Sequence, residues 1–113
     1  MKSVEIKFEF SADVLLQYIQ DALEFEPDYI SSEIDIPTVI NSLKNGETVT
    51  FLCQSECVEL NYDNIVSAIT DLADNYTSIF ASLITENDYA LSCDSLLQVA
   101  LFGQLLYDFF YDI

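Results

Sequence analysis

Apolar and polar positions alternate at the start of the chain, where Val4, Ile6, Phe8 and Phe10 are separated by Glu5, Lys7 and Glu9. A period of two predicts a half-buried strand. Ser11 or Asp13 then supplies a cap for a helix in which Val14, Leu15, Tyr18, Ile19, Ala22 and Leu23 recur at helical spacing, and Pro27 closes it. Residues 26–35 are acidic and aperiodic and read as a loop. Pro37 suits the first turn of a short helix that stops at Asn45-Gly46. Segments 48–53 and 57–62 are rich in Val, Thr, Phe and Leu and predict a hairpin around Gln54-Ser55-Glu56. Asp63 is expected to cap one long helix whose apolar face runs through Ile65, Ile69, Leu72, Ala73, Tyr76, Phe80 and Leu83. After a connector at 86–92, Asp94 or Ser95 opens a final helix reaching almost to the end.

The resulting order, β-α-α-β-β-α-α, predicts a single α+β domain at residues 1–113, with helices covering a small three-stranded antiparallel sheet. The final helix is apolar nearly all round, so it must be buried on most sides. Either it is the central core element, or the 94–112 helix meets a second copy in a homodimer. Gly103 falls inside it and implies close approach by a neighbouring backbone.

Charge changes this picture from a generic domain to a specialised one. The 113 residues carry 20 Asp or Glu against three Lys, with no Arg and no His, for a net charge of -17. From Asn45 to the end there are 69 residues, eleven carboxylates and no cation at all. Eight Phe and seven Tyr mark a folded chain, since acidic disordered chains are poor in aromatics. Large apolar side chains also distinguish it from a salt-adapted protein. Solubility alone asks for a net charge of about 2–8 in a small domain. Direct binding of nucleic acid is excluded in expectation, because phosphate contacts need clustered Lys and Arg.

The missing residue types remove whole classes of chemistry. Without His there is no imidazole base and no Ser-His or Cys-His pair, and without Arg no bidentate anion clamp. With only Gly46 and Gly103, a glycine-rich phosphate loop cannot form. Cys53, Cys57 and Cys93 read as small apolar residues in a reducing compartment rather than as zinc ligands. The expectation is therefore no enzyme, no cofactor and no metal. The longest charge-free run, 95–107, is well short of the roughly 20 residues that span a bilayer. A soluble protein of the cytoplasm, or of the host cytoplasm for a phage-encoded chain, is expected.

Helical spacing sets Asp13, Asp21 and Glu24 opposite the apolar stripe of the first helix, about 16 Å end to end. That is roughly one charge per 5 Å, the same order as one strand of B-DNA. Glu24, Glu26, Asp28, Glu33 and Asp35 follow within twelve residues, on a loop able to adapt to a cationic groove. Asp71 and Asp74 belong to the polar face of the third helix that Asp63 caps, Glu86 and Asp88 to the connector, and Asp94, Gln98, Asp108 and Asp112 to one side of the last helix.

In charge, size and lack of catalytic residues the chain resembles phage and plasmid anti-defence proteins, the DNA-mimic anti-CRISPR and antirestriction inhibitors. The resemblance implies an inhibitor whose carboxylates stand in for phosphates in the Lys/Arg groove of a nuclease, restriction enzyme or CRISPR effector. Two alternatives use the same composition. An immunity protein against a basic nuclease toxin would gather its acid around an aromatic anchor, for which Tyr29 is the candidate. An acidic chaperone of secreted proteins would bind through an apolar groove instead.

Overall fold

The computed structural model describes residues 9–106. Helix α1 (Ala12–Glu24) starts where Ser11 Oγ accepts the Val14 N–H at 3.2 Å, and it buries Leu15, Leu16, Ile19, Ala22 and Leu23. It ends at Phe25 and at Glu26, whose φ of 53° leaves the helical region ahead of Pro27. Helix α2 (Ile36–Lys44) begins behind Asp35, with Pro37 in its first turn, and buries Val39, Ile40 and Leu43. Its stop is the expected one. Gly46 takes φ 78°, and its N–H and that of Glu47 satisfy the Leu43 and Ser42 carbonyls.

Strands β1 (Val49–Cys53) and β2 (Glu56–Leu60) pair antiparallel from Val49↔Leu60 to Cys53↔Glu56. The turn is one residue tighter than expected. Gln54 and Ser55 both take positive φ, the geometry that matches the twist of a two-residue hairpin.

The described residues do not form the expected three-stranded sheet. Among the described residues the sheet has two strands, and the architecture is five helices with one hairpin. The expected first strand lies outside the described residues except for Glu9 and Phe10, which adopt no strand. At Leu52 the outer edge of β1 is already occupied. Ser31 donates its N–H and Oγ to the Leu52 carbonyl at 2.8 and 3.1 Å, and the Leu52 N–H donates to Ser32 Oγ at 3.2 Å. Two loop serines thus satisfy groups that another strand would have used.

The expected long third helix is two. Helix α3 (Tyr62–Asn75) is capped by Asn61 rather than Asp63, with Asn61 Oδ1 accepting the Asn64 N–H at 2.9 Å. It breaks at Tyr76 (φ -131°, ψ 56°), and α4 (Thr77–Thr85) follows at once. Asn75, Tyr76, Thr77 and Ser78 are all weak helix formers, so the break falls where continuing the helix gains least. The apolar periodicity survives it, because Leu72, Phe80 and Leu83 are all buried.

Glu86 and Asp88 turn the chain with positive φ, and α5 (Tyr89–Phe102) begins inside the expected connector, five residues before Asp94. Every residue from Ser92 to Leu101 is buried, with α1, α3, α4 and β2 packed around it. The helix is the core's axis within one chain, and the part of the expected 94–112 helix beyond Leu106 lies outside the described residues. Gly103 is not interior to a helix but terminates one at φ 76°, and a Cβ there would meet nothing within 4 Å. Backbone conformation, not close approach, explains this glycine. Among the described residues no helix is long and apolar enough to cross a membrane.

Candidate functional site

The C-terminus of α1 and the segment leading to α2 form a cleft of about 740 Å³. Glu24, Glu26, Asp28 and Glu33 line it together with the apolar Leu23, Ile30, Ile34 and Ile36. Local chain chemistry arranges this. Pro27 cannot continue α1, and the Ile30 N–H closes a turn onto the Pro27 carbonyl at 3.2 Å. Tyr29 and Ile30 turn into the core while Asp28 stays exposed. Further on, the alternation of exposed Glu33 and Asp35 with half-buried Ile34 and Ile36 sends acid outward and aliphatic carbon inward. The four carboxylates around the cleft are exposed and solvated. Glu24 also sits at the C-terminal end of α1, where the helix dipole adds about half a negative charge to the same region.

A second cleft of about 440 Å³ shares Glu24 and is lined also by Gln20, Ile36, Pro37, Asn41 and Lys44. Lys44 is the single cation among the described residues, and it stands beside this acidic edge, in the last turn of α2. Asp35 lies just past the main cleft at the head of α2 and accepts Thr38 Oγ1–H at 2.9 Å.

The remaining expected site residues lie elsewhere. Asp13 is exposed in the first turn of α1, at the end remote from Glu24. Asp21 is half-buried, accepting Tyr89 Oη–H at 2.6 Å and Gln17 Nε2–H at 2.8 Å, so it staples α1 to α5 instead of facing solvent beside Glu24. Asp63 and Asp71 line a third cleft of about 390 Å³ between α3 and the end of α5, and Asn75 donates to Asp71. Asp74 is exposed on α3, and Glu86 and Asp88 are exposed at the α4–α5 turn. Four exposed carboxylates therefore meet at the main cleft, while exposed Asp13, Glu47, Glu56, Glu59, Asp63, Asp74, Glu86 and Asp88 are spread over other elements.

Two expectations about the interior are corrected. Asp94 and Gln98 are not on a solvent-facing side of the last helix; they are 3% and 1% exposed. Tyr29 is 5% exposed, its hydroxyl donating to Asp94 Oδ1 at 2.7 Å. It anchors the loop to the protein's own core, where a candidate partner anchor was expected at the surface. The acidic segment is accordingly held at Tyr29 and at Ser31-Ser32, and is less adaptable than a free loop. The aromatic ring that does reach solvent here is Phe25, 50% exposed between Glu24 and Glu26, a residue its place beyond the α1 stripe could have flagged.

Burial raises the Asp94 carboxyl above its ordinary range, against the opposing effect of hydrogen bonds from Tyr29 and Gln98. Burial likewise pushes the Cys93 thiol up to about 12 and raises that of Cys53, which keeps both protonated and poorly nucleophilic. Among the described residues no three Cys, Asp or Glu side chains come together as a metal site. No protein-family model, curated protein or solved structure matches this chain.

Proposed function

We propose that this protein is a non-enzymatic acidic binder that occupies the Lys/Arg groove of a basic nucleic-acid-binding protein, its carboxylates taking the place of phosphates. One observation carries the reading: Glu24, Glu26, Asp28 and Glu33 converge on a single cleft edge in a chain of net charge -17. Four exposed carboxylates outweigh the neighbouring Lys44 and create a field that steers a basic partner at long range, so association should be fast and salt-sensitive. Firm attachment of the acidic segment also helps, because little ordering entropy is then lost on docking.

A second reading, an immunity protein against a basic nuclease toxin, draws support from Phe25. A half-exposed aromatic flanked by two glutamates has the composition of an interface hot spot ringed by charge.

A pull-down from lysate of the source cell, run with the wild-type chain and with a Glu24→Lys/Glu26→Lys/Asp28→Lys variant, tests the proposal. The expected result is one Arg/Lys-rich nucleic-acid enzyme released by moderate salt, absent with the variant and displaced by duplex DNA. Equal capture by the variant, or indifference of the complex to DNA, overturns the phosphate-mimic reading. A Phe25→Ala variant that abolishes capture by itself selects the immunity reading.

A further inference from the structure

Asp94 is a carboxylate 3% exposed in a chain that already carries a large negative charge. It is held by neutral donors. Tyr29 Oη–H reaches Oδ1 at 2.7 Å and Gln98 Nε2–H reaches Oδ2 at 2.7 Å. On its far side, Gln98 Oε1 accepts the Leu106 N–H at 3.0 Å. The Tyr29 ring also packs edge-on against Phe102, with centroids 5.7 Å apart, immediately before the Gly103 turn. The acidic segment is thus tied by rings to the end of α5 and by polar groups to the 103–106 segment that follows it.

The polar route has a fixed direction. An ionised carboxylate only accepts, so both Tyr29 and Gln98 must donate to it. An amide has one donating and one accepting end. With Nε2 turned to Asp94, the oxygen faces the other way and receives the Leu106 N–H.

We infer that Asp94 is a conformational link, its carboxylate setting the orientation of the Gln98 amide so that the acidic segment and residues 103–106 hold or release together. Reversing the acceptor character at position 94 sends the reversal down the relay. An asparagine amide that donates to Gln98 turns the Gln98 oxygen inward and presents Nε2 to the Leu106 N–H, leaving two donors opposed. Any event that displaces Tyr29 from Asp94 removes a donor that fixes the carboxylate, and the loosening passes through Gln98 to Leu106.

Amide exchange resolved by NMR on the isolated chain tests this, with no partner required, so its outcome is independent of what binds the cleft. Tyr29→Phe removes one hydroxyl and keeps the ring against Phe102. The expected result is exchange of the Leu106 amide faster by several-fold to on the order of tenfold, the scale of one net hydrogen bond, with α3 amides unchanged. Asp94→Asn should accelerate exchange at Leu106 and at 28–32 together, and Gln98→Met should reproduce the effect at 28–32 from the opposite end. If Tyr29→Phe leaves Leu106 exchange unchanged while loosening only its own loop, the two contacts are independent and the link is disproved. Should Asp94→Asn fail to fold, the Tyr29→Phe and Gln98→Met pair decides alone.

Discussion

The cleft edge and the α5 core both hold carboxylates, yet they treat them in opposite ways. Glu24, Glu26, Asp28 and Glu33 are exposed, keep their water and cost the fold little beyond mutual repulsion. Asp94 has lost its water and is held by a tyrosine hydroxyl and a glutamine amide. Burying a charge ordinarily calls for a cation. This chain, with no arginine, uses neutral donors instead. The comparison teaches that a carboxylate's role here follows from its solvent and its donors, not from its place on a helix wheel. Surface acid is available to a partner, whereas interior acid is committed to positioning the chain.

The sharpest way to break that contrast is truncation at each site. Asp94→Ala leaves the Tyr29 hydroxyl and the Gln98 amide without their acceptor and should cost about 2 kcal/mol or more, as buried donors stripped of a partner do. Glu26→Ala should change stability by no more than about 0.5 kcal/mol. Urea denaturation of the two variants measures both. Equal effects would mean that Asp94 is not structurally committed.

A smaller effect concerns salt. Raising NaCl from about 0.02 to 0.2 M should stabilise the wild type by about 1 kcal/mol, a rise of roughly 4 °C in Tm, by screening self-repulsion. A Glu24→Gln/Glu26→Gln/Asp28→Gln variant should gain visibly less, since its cleft edge no longer repels itself. A Tm that falls over this salt range would show that crowding at the edge is not a cost.

The smallest effect is the pH dependence of Asp94. Its folded-state value lies above the ordinary 3.8, so the native state holds more protons than the unfolded chain in the window just above that value. Stability from this group therefore falls as pH rises through the window and is flat above it. Acidification toward that window should stabilise the wild type more than Asp94→Asn, with the general relief of acidic repulsion common to both. Parallel pH profiles would place Asp94 in an ordinary, solvated environment.

Much of the fold is legible from local signals. The Ser11 cap and the stripe from Leu15 to Leu23 specify α1. Pro37 and Gly46 bracket α2 because each acts through its own backbone dihedral. The β-branched and aromatic run before Gln54 specifies β1. Signals that depend on a neighbour are not legible in this way. The periodicity through Tyr76 is continuous although the backbone is not, because both α3 and α4 pack on the same α5 core. Gly103 reads from its apolar surroundings as a packing notch inside a helix, and only its φ of 76° shows it to be a stop. A helix apolar nearly all round could have signalled that Asp94 and Gln98 had no solvent side to occupy.

Composition by itself determined that this protein is a dense anion with a well-stocked core, since net charge and apolar content do not depend on how the chain is folded. The order of residues likewise determined the boundaries that Ser11, Pro37 and Gly46 enforce locally. Tertiary structure alone decided which carboxylates face water and which face donors. Burial depends on elements distant in sequence: Tyr29 and Asp94 are 65 residues apart, and Asp21 and Tyr89 are 68. Desolvation is a property of the assembled neighbourhood, and no single segment carries it.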